Sequence, residues 1–220
     1  MMDKEKIELI IKSVTRTDSY LNYANTKSTI LLTLASAILT IVGVNISKVI
    51  PCRIHELSFF SWFLFLFFLI SGVLFNVLSI IKSLGSMTPF IKESKKENIF
   101  SFVDIVHYYK NGDDYFKRVS SEDYVDMGMQ LSLLNYTLSE GLIKKYKGQK
   151  ISIFYLKVSL VSFLLGVLIP WIESSLMLFN DEVSGVVFLS LIVMLLVMVV
   201  IVLIFTLVFL LFIGKNKNEH

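Results

Sequence analysis

The sequence predicts an all-α membrane protein: four transmembrane helices with a small helical cytoplasmic lobe formed by extensions of helices one and three. Three observations carry that expectation. The 220 residues are 55% hydrophobic and only 18% charged, with a mean hydropathy of +0.70, whereas soluble domains run nearer a quarter charged. The apolar residues are gathered into long runs, and roughly 20 of them in helix cross a hydrocarbon core of ~30 Å. The polar residues are gathered between those runs, chiefly in 1–28 and 82–150.

Residues 1–28 read as a cytoplasmic amphipathic helix. Ile7, Ile10, Ile11, Val14 and Leu21 recur at helical spacing, with Asp3, Lys4, Glu8, Lys12 and Arg16 largely elsewhere on the wheel. No Pro or Gly interrupts Met1 to Val42, so one helix is expected to run on into the first span, 29–46. The second span, 57–81, contains the Phe59–Phe68 aromatic block. Those residues favour strand, but the length of the run argues for a helix with aromatic groups on several lipid-facing sides.

The segment 82–150 opens with a break at Gly85 and Pro89 and a solvated run from Lys92 to Glu97. A short apolar piece follows (Ile99, Phe100, Phe102, Val103, Ile105, Val106), and Asn111-Gly112-Asp113 reads as a turn. Ser120 or Ser121 is the expected cap of a long helix, with Glu122 and Asp123 suited to its positive end. That helix is expected to continue through Leu168, so that the third span, 151–172, is its membrane end. Lys157 within it is expected to snorkel to the interface. The fourth span, 183–213, is 31 uncharged residues, and a tail of 214–220 follows. At 69 residues the lobe is small for an autonomous domain, so homo-oligomerisation is expected. Asn76, Ser159, Ser162 and Gly166 are groups of the kind that join transmembrane helices, Ser162 and Gly166 being candidates for contacts between copies.

Loop charge sets the orientation. Residues 1–28 carry five basic side chains and residues 82–150 eleven, while the loop from Glu173 to Glu182 has none. The positive-inside rule therefore places both termini and the middle segment in the cytoplasm. An impermeant thiol reagent applied to whole cells is expected to label Ser175→Cys and not Ser94→Cys; labelling at Ser94→Cys reverses the orientation.

Composition and spacing exclude most chemistry. The net charge of +3 is too small for a protein that neutralises a nucleic acid polymer. The single cysteine, Cys52, excludes an internal disulfide framework, and His55, His107 and His220 form no ligand pair. No catalytic set and no metal site is expected. Asp113-Asp114 and Glu122-Asp123 read as solvated loops or caps, and His107 as partly buried packing. The span midplanes carry no charge, which disfavours a proton-coupled transporter. Lys144-Lys145-Tyr146-Lys147 reads either as the basic flank of a span or as an anion site with which Lys27 converges. Tyr20, Tyr23, Tyr108, Tyr115 and Tyr146 are aromatics able to stack on a base.

The stretch Tyr20-Leu21-Asn22-Tyr23-Ala24-Asn25-Thr26-Lys27-Ser28-Thr29-Ile30-Leu31-Leu32 resembles the Tyr…Ala-Asp-Thr-Lys-Ala-Ser-x-Leu-Leu signature of the Pycsar transmembrane effectors. Phe102-Val103-Asp104-Ile105 is similar to the family's Phe-Phe-x-Asp-Ile piece; Tyr115, Asp126 to Gln130, Lys145-Tyr146 and Leu165-Gly166 follow in the family's order. Asn25 stands where the family has an acidic residue, Ser28-Thr29 where it has Ala-Ser, and the fourth span is additional. The resemblance implies a non-enzyme of the bacterial inner membrane. It implies an antiphage effector that senses cyclic CMP or cyclic UMP made by a separate nucleotide cyclase and then disrupts the lipid bilayer. Together with chemical type it implies Lys27 and Lys145 for the phosphate, Asn25 beside them, Asp104 or Gln130 for the base edge and Tyr115 as a stacking platform. Membrane effectors of cyclic-oligonucleotide defence systems share the layout, and a structural or regulatory scaffold with no nucleotide ligand is the reading from another class.

Overall fold

Residues 4–49, 58–89 and 97–177 are described by the computed structural model. Among them are five helices: α1 (Lys4–Val49), α2 (Phe59–Met87), α3 (Phe102–Tyr108), α4 (Gly112–Ser121) and α5 (Tyr124–Met177). Three of these, α1, α2 and α5, are long and apolar enough to cross a membrane. The proposed fourth span and tail, and the run 90–96, lie outside the described residues.

Length decides the architecture. At ~1.5 Å rise per residue, the 46 residues of α1 extend about 70 Å and the 54 of α5 about 80 Å. Each is more than twice a ~30 Å hydrocarbon core, so the polar N-terminal part of each projects out of the apolar layer. The two helices run parallel. Thr17 Oγ1 donates to Asn135 Oδ1 at 2.8 Å and Asn135 Nδ2 to Ser13 Oγ at 2.9 Å. Further along, Gln149 Nε2 donates to the Ala24 carbonyl at 2.5 Å and to Ser28 Oγ at 2.9 Å.

α2 lies antiparallel to α5. The Ser58 N–H donates to Glu173 Oε1 at 2.8 Å, and Ser159 Oγ donates to the Gly72 carbonyl at 2.8 Å. The Glu173 carboxylate thereby serves the start of α2, where unpaired N–H groups and the helix dipole favour an anion. The buried positions of α2 (Ser61, Phe65, Phe68, Gly72, Asn76, Ser79, Ser83, Ser86) follow one another in steps of three or four, close to the spacing of a coiled-coil seam. The aromatic block is split by that seam: Phe65 and Phe68 are buried, whereas Phe59, Phe63 and Phe67 are exposed.

The seam changes character along its length. Its outer half is apolar, with Phe68 packed on Leu165 and Ile169 and flanked by Leu64. Its inner half is small and polar: the Ser79 and Ser152 hydroxyls lie 2.9 Å apart, and those of Ser83 and Ser152 2.7 Å apart. Asn76 is fully buried there, and neither its Nδ2 nor its Oδ1 has a hydrogen-bond partner. A buried polar group so placed costs on the order of 1–3 kcal/mol.

Several local expectations are corrected. α2 passes through Gly85 and ends at Met87, with Thr88 as its C-cap just before Pro89. The long helix starts at Tyr124, and its cap is Asp123, whose Oδ1 accepts the Asp126 N–H at 2.8 Å. Ser120 and Ser121 instead bond back to the Phe116 and Arg118 carbonyls inside α4; the shorter carboxylate-capped start leaves room for α4. α5 also continues past Leu168 through Pro170 to Met177. A proline inside a membrane helix is tolerated where neighbouring helices surround it, and Pro170 is fully buried. His107 is exposed rather than partly buried, its ring edge-on to Tyr108 at 4.9 Å. Gly166 also packs within the chain, as a group that joins membrane helices: an added Cβ would lie 3.5 Å from Phe68 Cβ.

Candidate functional site

The Asn111 side chain caps α4 by accepting the Asp114 N–H at 2.9 Å, and α3 and α4 sit over the start of α5 through one buried polar knot. Gln130 is its centre. Its Oε1 accepts the Ile99 N–H at 2.8 Å, its Nε2 donates to Glu122 Oε1 at 2.5 Å, and its carbonyl accepts from Asn98 Nδ2 at 2.8 Å. Arg118 bridges Glu97, at 3.0 Å, and Glu122. The side chain of Glu122 is completely enclosed, which corrects its reading as a solvated acid: the arginine neutralises it. Tyr109 donates to Glu97, and burial together with that carboxylate pushes its phenol up from 10.0. Tyr115 donates to the Ile99 carbonyl at 3.0 Å and meets the Tyr109 ring edge-on at 5.3 Å. Asp104 is fully buried in α3.

A second polar centre lies where α5 passes from its polar to its apolar part. Lys145 is only 7% exposed. Its ammonium donates to Asn25 Oδ1 at 2.9 Å, to the Ser86 carbonyl at 2.8 Å and to the Thr88 carbonyl at 3.0 Å. The last two are carbonyls at the C-terminal end of α2, where the helix dipole favours a cation. One side chain thus ties α1, α2 and α5 together. Burial holds its pKa below the ordinary 10.5.

Beside this tie is an open cavity of about 410 Å³, whose walls include Lys82, Ser86, Thr88, Lys144 and Lys145 and whose floor includes Gly85, Gly141 and Gly148. Gly148 lies where α2 and α5 approach closely: a Cβ there would displace the Ser86 hydroxyl. Lys82, Lys144 and Lys145 thus line one cavity with three glycines, and a charged donor bonds a phosphate oxygen more strongly than a neutral one. The volume lies within the usual ~300–1,000 Å³ of small-molecule sites. Among the described residues no group of His, Cys, Asp and Glu is arranged to hold a metal ion.

Five of the six residues expected at one nucleotide site fall into two places, and Lys27 stands apart. Asn25 and Lys145 are in direct contact, while Asp104, Tyr115 and Gln130 belong to the α3–α4 end. Gln130 and Lys145 share α5, so at ~1.5 Å per residue their Cα atoms are roughly 22 Å apart. A mononucleotide does not span that distance. Lys27 is exposed, its ammonium 4.4 Å from the Tyr23 ring centroid and 6.0 Å from that of Tyr146, and it does not line the cavity. Lys82, Gly141 and Gly148 were not anticipated. The available signal was the spacing of Gly141, Lys145 and Gly148, which puts all three on one face of a helix.

A family profile described as the Pycsar effector protein domain matches residues 10–172, a stretch that contains α1 from Ile10, all of α2 to α4, and α5 through Ile172. The curated Pycsar effector protein EcPycTM of Escherichia coli is 28% identical over 151 residues, covering 66% of this chain and 78% of that protein. No solved structure matches the chain. A profile that takes in the apolar helices, the polar knot and the lysine-lined cavity together places the chain in the Pycsar effector family, to which it belongs.

Proposed function

We propose that this protein is an antiphage effector of the bacterial inner membrane that senses a cyclic nucleotide, cyclic CMP or cyclic UMP, in the α2–α5 cavity and then disrupts the bilayer. The observation that carries this reading is the cavity itself: three lysines over glycines at the point where α5 leaves the polar part for the apolar part. A cyclic phosphodiester carries one negative charge and draws Lys145 toward it. Any such movement competes with the bonds to Asn25, Ser86 and Thr88, which join the three long helices. A ligand shifts a conformational equilibrium only by its differential affinity for the two states; exchanging protein acceptors for a phosphate on Lys145 supplies such a difference.

Family membership supports the effector role, and the nucleotide cyclase acts as a functional partner upstream rather than as a subunit. Exposed Phe102, Val106, Phe116 and Tyr136 at the polar end favour assembly of several copies. Both termini and residues 82–150 face the cytoplasm in this reading, as the loop charges argue.

Purified protein in dye-loaded liposomes provides the test. Cyclic CMP or cyclic UMP is expected to release the dye, the paired change Lys82→Glu and Lys144→Glu to abolish release, and Lys95→Glu to leave it unaltered. Release triggered only by a cyclic oligonucleotide reassigns the messenger. Equal leakage with and without every nucleotide overturns the sensing role.

A further inference from the structure

We infer that the small, polar half of the α2–α5 seam, joined by direct serine bonds in this structure, opens as one wall of a water-filled route for small ions that is stopped near the bilayer midplane by Phe163. The inference rests on the membrane-disrupting reading above and says where the breach forms. From the lysine-lined cavity inward, the successive buried residues of α2 are Ser86, Ser83, Ser79, Asn76 and Gly72. Ser152 and Ser159 of α5 bond to them across the seam.

Small residues alone would be explained by close packing of two membrane helices. Asn76 is not. It is fully buried in this stretch with both side-chain polar atoms unpartnered, whereas the serines on either side of the seam are paired. A dry joint selects against such an amide, because it loses water and gains nothing. A hydrated route removes the penalty and gives the side chain a role, since its carbonyl and amino groups bond water and ions of either sign.

The polar stretch stops at one residue. The Phe163 ring is pressed on Gly72, where an added Cβ would meet it at 2.6 Å, and beyond it Phe65 and Phe68 continue the seam as hydrocarbon. Gly72 is nine residues inside the apolar boundary at Ile81, roughly 14 Å of helix and so about half of a ~30 Å core. A polar half-route meeting an aromatic constriction at mid-depth is the arrangement of a gate that closes by excluding water. Because Ser86, Lys145 and Gly148 line the cavity, a ligand bound there sits at the mouth of the route.

Two variants in liposomes loaded with potassium chloride test this without any ligand. Phe163→Ala is expected to leak at least tenfold faster than wild type in the absence of nucleotide. Adding Asn76→Leu is expected to return that leak to near the wild-type rate while raising the melting temperature. If Phe163→Ala stays tight, or if Asn76→Leu raises the melting temperature and leaves the leak unchanged, the route is wrong. Leakage of Phe163→Ala that neither cyclic CMP nor cyclic UMP alters supports the route and counts only against the nucleotide reading. Where Phe163→Ala does not fold, Ser79→Cys and Leu78→Cys in a Cys52→Ser background are treated with a charged methanethiosulfonate. Reaction at least tenfold faster at Ser79→Cys supports the route; equal or slower reaction overturns it.

Discussion

Replacing Lys145 by methionine is expected to lower the apparent melting temperature of the detergent-solubilised protein by roughly 10 °C and to abolish the response to nucleotide. Methionine keeps the length and apolar stem of the side chain but removes a charge that serves Asn25 Oδ1 and two carbonyls at the end of α2. Each buried acceptor left without its donor costs about 1–3 kcal/mol, so the three together cost roughly 3 kcal/mol or more, and a chain of this size loses roughly 2–4 °C per kcal/mol. Lys145→Arg keeps the charge, and on the proposed mechanism is expected to recover part of the response. A melting temperature unchanged in Lys145→Met shows that the three helices are held by other contacts.

The same residue sets a pH dependence. Burial lowers the folded-state pKa of Lys145 below 10.5, so between that lowered value and 10.5 the unfolded chain binds the proton more strongly. Across this window stability rises with pH, because the unfolded state holds more protons. Attraction for a phosphate falls over the same window, as the ammonium is lost. The nucleotide response is therefore expected to weaken at a pH below the ordinary lysine range, in liposomes titrated from pH 7 upward.

The second large effect is expected at Gln130. Gln130→Leu leaves the Ile99 N–H without its acceptor and Glu122 without one of its donors, both inside the α3–α4 knot. Each unsatisfied buried group costs about 1–3 kcal/mol, more where it is charged, so the polar end is expected to loosen by roughly 3 kcal/mol or more. Hydrogen exchange is the suitable measurement: amides of 97–121 are expected to lose protection while those of the α2–α5 seam keep theirs. Uniform loss throughout the chain would show instead that the knot and the spans unfold as one unit.

Much of the helical layout was legible because it depends on local chemistry. An unbroken α1 up to Val42 follows from the absence of Pro and Gly there, and the apolar runs of α2 and α5 follow from bilayer thickness. The errors of boundary are also local. Ser120, Ser121 and Asp123 are all good caps, and only the packing of α4 selects Asp123. Proline ordinarily ends a helix, yet Pro170 is carried within α5 because other helices bury it. Glu122 was misread because its enclosure depends on Arg118 and Gln130 meeting it from two different helices.

The candidate site divides along the same line. The family resemblance together with residue type picked out Asn25 and Lys145, and their contact between α1 and α5 agrees with two parallel helices reaching the same level. The same resemblance also picked out Asp104, Tyr115 and Gln130, and could not show that a helix about 22 Å long lies between Gln130 and Lys145. The sequence by itself determined that this chain spans a membrane with long helices that continue into a polar part, because periodicity and length act on each segment separately. Only the tertiary structure decided which lysines share a cavity, that Lys27 stands apart on Tyr23 and Tyr146, and that Asn76 is buried unpaired. Those facts depend on the relative rotation of packed helices, and a single turn of one helix against another changes every side chain that a seam brings together.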